Sequence, residues 1–131
     1  MKTTRVMLFG LAALVVATPF PAAAHHGQAG LFDEAKVVEL KGVVKKWSLV
    51  NPHPILVLEV TAANGTKTEW DVYFGPSAAG PLRRQGYTPE TFRAGETVIV
   101  KAHPSTGAEV HGVDVWGRGV GVTREDGKPV P

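Results

Sequence analysis

A small, mainly β barrel is the fold predicted by this sequence, and three observations carry that prediction. Short runs of alternating apolar and polar residues recur from residue 37 onward, each bounded by Gly, Pro, Asn or Ser. The first run is unusually long, and Gly42 interrupts it. A single stretch with helix signals, around Ser77 to Arg84, falls between the third and fourth runs.

The elements follow in chain order. The N-terminus has the parts of a cleavable secretory signal: Lys2 and Arg5, an apolar run from Val6 to Ala17, then Thr18 to Pro21 and Ala22-Ala23-Ala24. The apolar run is about a dozen residues, against the ~20 that a membrane-spanning helix needs, so residues 1–24 are expected to be removed rather than to anchor the chain. Small residues at Ala22 and Ala24 favour a cut after Ala24, with a cut after Ala23 the alternative. Residues 25–131 then form one domain, expected in the periplasm or secreted.

Val37 to Leu49 reads as the long first strand, with Val38, Leu40 and Val44 between charged neighbours and Gly42 as a bulge or sharp bend. Ile55 to Thr61 is the second strand, with Leu56, Leu58 and Val60 on one face. Asn64-Gly65 turns the chain into Thr66 to Phe74, where Trp70, Val72 and Phe74 share a side. Ser77 is placed to cap a short helix through Leu82, Arg83 and Arg84, made irregular by Gly80-Pro81. Thr97 to His103 and Ala108 to Trp116 are the next strands, and Asp126-Gly127 marks a last hairpin. Three strands, a short helix and two more strands is the order of an OB-like barrel of five to six strands.

Composition narrows the function classes. The chain has 14 Lys and Arg against 12 Asp and Glu, and the signal takes Lys2 and Arg5 with it, so the mature domain balances. That argues against nucleic-acid and anionic-membrane partners. There is no cysteine, hence no disulfide framework and no thiol nucleophile. No Gly-x-Ser-x-Gly elbow or His-Glu-x-x-His pair is present, and Gly117-Arg118-Gly119-Val120-Gly121 lacks the helix and Lys of a phosphate loop. No enzyme signature emerges.

The histidines hold the remaining chemistry, and all five lie after the signal: His25, His26, His53, His103 and His111. Cleavage after Ala24 gives His25 a free amine beside its imidazole, and His26 and His53 are candidates to complete a nitrogen-donor set. Such donors suit divalent Cu, Ni or Zn, with Cu(II) favoured by intrinsic affinity. A cut after Ala23 would also leave a chelating start. In Asn51-Pro52-His53-Pro54 the prolines restrict the backbone on either side of His53. This is the loop between the first two strands, one that OB folds use for binding. Asn51, Arg83 and Arg84 are the candidate contacts for a small ligand there. His111 shares parity with Val113 and Val115 and is expected in the core or an interface. His103, before Pro104 at a strand end, is expected to be solvated. Trp47, Trp70 and Trp116 are expected to pack in the core or at its rim.

Several of these residues also carry a family resemblance. His25-His26-Gly27, Phe32-Asp33, Leu40-Lys41-Gly42-Val43-Val44, Trp47 and Asn51-Pro52-His53 resemble the bacterial family called domain of unknown function 6152. Gly75-Pro76, Leu82 to Tyr87 and Ala94-Gly95-Glu96 are similar to its later segments, with Tyr87 where that pattern suggests tryptophan. The resemblance implies a small periplasmic β-barrel with His25, His26 and His53 as matched positions, and no activity. The sequence thus leads to a non-catalytic binding module for a metal ion or small ligand. A protein-interaction domain of the envelope is the alternative, and a copper-dependent oxidase a third reading.

Overall fold

A computed structural model describes residues 30–107 and 111–131; the predicted signal, His25 and His26 lie outside them. Six strands and one helix follow in order: β1 Val38–Ser48, β2 Ile55–Thr61, β3 Lys67–Tyr73, α1 Ala79–Arg84, β4 Thr97–Pro104, β5 Gly112–Asp114 and β6 Gly121–Arg124. The sheet runs β1-β2-β3-β5-β4, and β4 pairs back onto β1 to close it, while β6 adds to β4. Every pairing is antiparallel except β3 with β5. This is the predicted OB-like barrel, closed by five strands with a sixth outside the ring.

β1 closes the ring because it serves two partners in turn. Val38 to Val43 pair with β4, and Val43 to Ser48 pair with β2. Gly42 sits at the changeover, where an added Cβ would stand 3.1 Å from both the Glu59 carbonyl oxygen and Leu58 Cβ. The bulge itself comes slightly later, between Val44 and Lys46. An extra residue there reverses the strand's parity. Val44 therefore faces the core from an even position, and Trp47 and Leu49 face it from odd ones.

The interior is built of branched aliphatic residues: Val44, Leu56, Leu58, Val72, Val98, Val100 and Val113 are essentially solvent-free. Each such side chain contributes roughly 1.5–3 kcal/mol by leaving water. Aromatic rings plug one side. Trp47 packs on Phe74, Tyr87 and Phe92 with centroids 5.3, 6.1 and 5.0 Å away. Its Nε1 donates to the Thr88 carbonyl at 2.8 Å, so the half-buried indole has its polar group satisfied.

α1 closes the barrel with Ala79 and Leu82 buried. Gly80-Pro81 does not break it, because Pro81 lies in the first turn, where N–H groups have no acceptor within the helix. Ser77 is buried but does not cap; Ala78 occupies the cap position without a side-chain bond. β6 returns through a turn at Gly127, with Arg124 N–H on the Lys128 carbonyl and Val130 N–H on the Val122 carbonyl, as the Asp126-Gly127 signal predicts.

Candidate functional site

The loop of residues 49–54 is held by two side chains predicted to contact ligand. Asn51 Oδ1 accepts the Ala79 N–H at 3.1 Å, satisfying one donor of the α1 N-terminus from outside the helix. Arg83 Nη2 donates to the Leu49 carbonyl at 3.1 Å. The loop is thus pinned to the helix from both ends. Pro54 is buried, the Asn51–Pro52 peptide is cis, and His53 stands exposed between the prolines. Arg84 is exposed one residue beyond Arg83.

A chain segment preceding β1 crosses the outer face of the barrel beside β4. Asp33 N–H donates to the Pro104 carbonyl at 2.9 Å and Thr106 N–H to the Leu31 carbonyl at 2.8 Å. Phe32 bridges to Ser105 and sets its ring 5.7 Å from that of Tyr73. Tyr73 in turn pairs with Ile55, the first residue of β2, two positions after His53.

Beneath this crossing lies a pair that strand parity alone did not find. His103, expected in solvent as the residue before Pro104 at a strand end, is instead only 4% exposed, although Val98, Val100 and Ala102 already take the inward positions. Lys36 covers it, and His103 Nδ1 is 2.7 Å from the Lys36 carbonyl oxygen. A carbonyl can only accept, so Nδ1 carries the proton and a neutral ring keeps its lone pair on Nε2. Cross-strand from His103 is Asp114, 8% exposed, whose Oδ1 accepts the Gly75 N–H at 2.7 Å. Burial pushes the Asp114 carboxyl above its ordinary value. The Gly75 N–H, and His103 when its ring is protonated, oppose that rise, and the negative charge of Glu34 adds to it.

His103 opens onto a cleft of about 330 Å³ lined by Glu34, Trp116, Gly117 and Arg118. A Cβ at Gly117 would lie 3.5 Å from Nε2, so this nitrogen faces the cleft. His111 is not in the core. It is exposed and outside β5, its ring 5.0 Å from Trp70, while its carbonyl accepts the Asp71 N–H. β5 is short, and the predicted parity of residue 111 does not extend through it.

A second cleft, of about 470 Å³, lies elsewhere, between β4, β6 and the chain's last residues. Ile99, Val115 and Val130 line it, with Lys101, Gln85 and Tyr87 as its polar edge. Burial raises the Tyr87 hydroxyl above its usual pKa. Among the described residues no cluster of three or more His, Asp or Glu side chains could hold a metal ion, and no helix is long and apolar enough to cross a membrane.

Fold and sites together define a small OB-like barrel with polar groups gathered on its outer face. The chain belongs to the family described as "Family of unknown function (DUF6152)", whose model matches residues 12–114. β6 and the tail, including Trp116 and Arg118, follow the matched residues. No curated protein and no solved structure matches the chain.

Proposed function

We propose that this chain is an exported, non-catalytic binding module of the periplasm or extracellular space. It takes a divalent metal ion, Cu(II) favoured, through the processed chain start, His25, His26 and His53. The supporting observation is the seat of Phe32 on Tyr73, next to the strand that His53 leads into. From Gly30, five extended residues reach up to ~17 Å, and neighbouring strands are ~4.8 Å apart. The chain start is therefore within range of the strand pair bearing the His53 loop. Amine and imidazole nitrogens without thiolate or thioether match the preference of Cu(II) over Cu(I).

Titrating Cu(II) into correctly processed protein tests this. The expected result is affinity tighter than about micromolar, falling at least about tenfold (~1.4 kcal/mol) in His53→Ala. Micromolar or weaker binding that His53→Ala leaves unchanged removes the three-histidine site. The second reading, an envelope protein-interaction domain without metal, is favoured by exposed apolar side chains, including Val50 at 56% beside the His53 loop and Trp116 at 47%. Pull-down with and without chelator separates the two, since a purely protein interface is indifferent to chelation.

A further inference from the structure

We infer that the cleft over His103 is a binding site for a small zwitterion, an α-amino acid bearing a free ammonium and a free carboxylate. Three polar groups converge there with their bonding capacity unused. His103 Nε2 faces the cleft from a ring that is almost wholly buried, and Nδ1 alone is bonded. Glu34 and Arg118 line the same space and form no ion pair with each other or with another described residue. Opposite charges held in one cleft without contact are the complement of a ligand with two charges of its own.

The fold sets the walls of this cleft. Glu34 sits within the turn from Asp33 to Lys36, whose two ends bond to Pro104 and His103. Trp116 lies directly against Gly75, where an added Cβ would be 2.4 Å from Trp116 Cγ, and so forms a set aromatic wall. Gly117 stands beside Nε2 without a side chain of its own. With neutral His103, the acceptors are Nε2 and the Glu34 carboxylate, and the donor is Arg118. Ammonium N–H groups suit the first two and a carboxylate suits the third. The negative charge of Asp114 behind His103, joined to that of Glu34, disfavours a simple anion. The cleft, near the lower end of volume for ligand pockets, has ample room for a molecule of this size.

The site does not depend on metal, so the test uses full-length processed protein stripped of metal beforehand. Glycine and L-alanine are titrated by calorimetry, with N-acetylglycine lacking the ammonium and glycinamide lacking the carboxylate as controls. Amide chemical shifts locate binding. The expected result is perturbation at Gly117 and Arg118, with each blocked compound at least about tenfold weaker than glycine. Glu34→Gln and Arg118→Gln, both surface changes that leave the core intact, should each weaken glycine by a similar factor. No binding up to about 10 mM, equal binding of N-acetylglycine, or wild-type affinity in both variants overturns the inference.

Discussion

At the scale of single residues, two glycines show how one residue type serves two different physical needs. Gly42 has ordinary backbone angles, but a Cβ there would press on the Glu59 carbonyl and Leu58 at 3.1 Å. Gly65 has open space around it but a φ of +84° in the β2–β3 turn. Gly42→Ala should therefore destabilise by about 1–3 kcal/mol through overpacking, and Gly65→Ala by about 1 kcal/mol through backbone conformation. Asparagine distinguishes the mechanisms, because it tolerates positive φ but is larger. Urea denaturation should find Gly65→Asn milder than Gly65→Ala, and Gly42→Asn worse than Gly42→Ala. The same ordering at both positions would remove the distinction. Asn64, by contrast, keeps a negative φ and works through its side chain, accepting the Thr66 N–H at 3.0 Å.

At the scale of elements, β6 is the least committed strand, outside the closed ring and paired only to β4 among the named strands. Arg124 ties it down: Nη1 meets Glu96 Oε2 at 2.6 Å and Nη2 donates to the Thr91 carbonyl at 2.8 Å. Both partners precede β4, so the guanidinium fork joins β6 to the loop that enters the barrel. Because this pair is partly exposed, Arg124→Ala should lower stability by only about 1 kcal/mol. Arg124→Lys should recover little, since one ammonium cannot serve both acceptors in that planar geometry. Hydrogen exchange should accelerate at Val122 and Arg124 but not in β1 or β2; unchanged protection in β6 would refute this role. The strands themselves were legible in the sequence, because alternation survives wherever one face is buried and the other is wet. β2, β3 and β4 fall within a residue or so of their predicted limits. The bulge of β1 was not legible: Lys45-Lys46 read as polar positions, with nothing local to say that parity would reverse. Among the described residues β5 is limited to Gly112–Asp114, which pairs with β3 throughout and with the end of β4 at Val113 and Asp114, while residues 108–110 of the predicted strand lie outside them.

At the scale of the whole molecule, the His103–Asp114 pair exists only because the ring closes and residues 33–36 cross over it. Its members come from β4 and β5, with a cover from before β1, so no spacing or motif within any one segment marks them. The Asn51-to-Pro54 loop was legible because its chemistry is contiguous in the chain. What the sequence could not reveal is that Asn51 and Arg83 bond across to each other's elements. Closure has a consequence that pH can read. Burial raises the folded-state pKa of Asp114 above its ordinary 3.8. Between those two values the folded protein holds a proton that the unfolded chain has released, so stability must fall as pH rises through that window. Below 3.8 this penalty is absent, and above the folded pKa it is complete and constant. Asp114→Asn keeps an oxygen to accept the Gly75 N–H but has no proton to lose. Its stability relative to wild type should therefore increase as pH is raised from about 3.8, the ordinary carboxyl value, toward neutrality. Urea denaturation of both proteins across that range measures the difference directly. Asp33, Glu59 and Asp126, whose pKa values are lowered by lysines and, for the two aspartates, by backbone N–H groups, titrate alike in both proteins and cancel from the comparison. A difference that stays flat or shrinks with pH would mean that the carboxyl is solvated when ionised, and that the crossing segment does not seal this face.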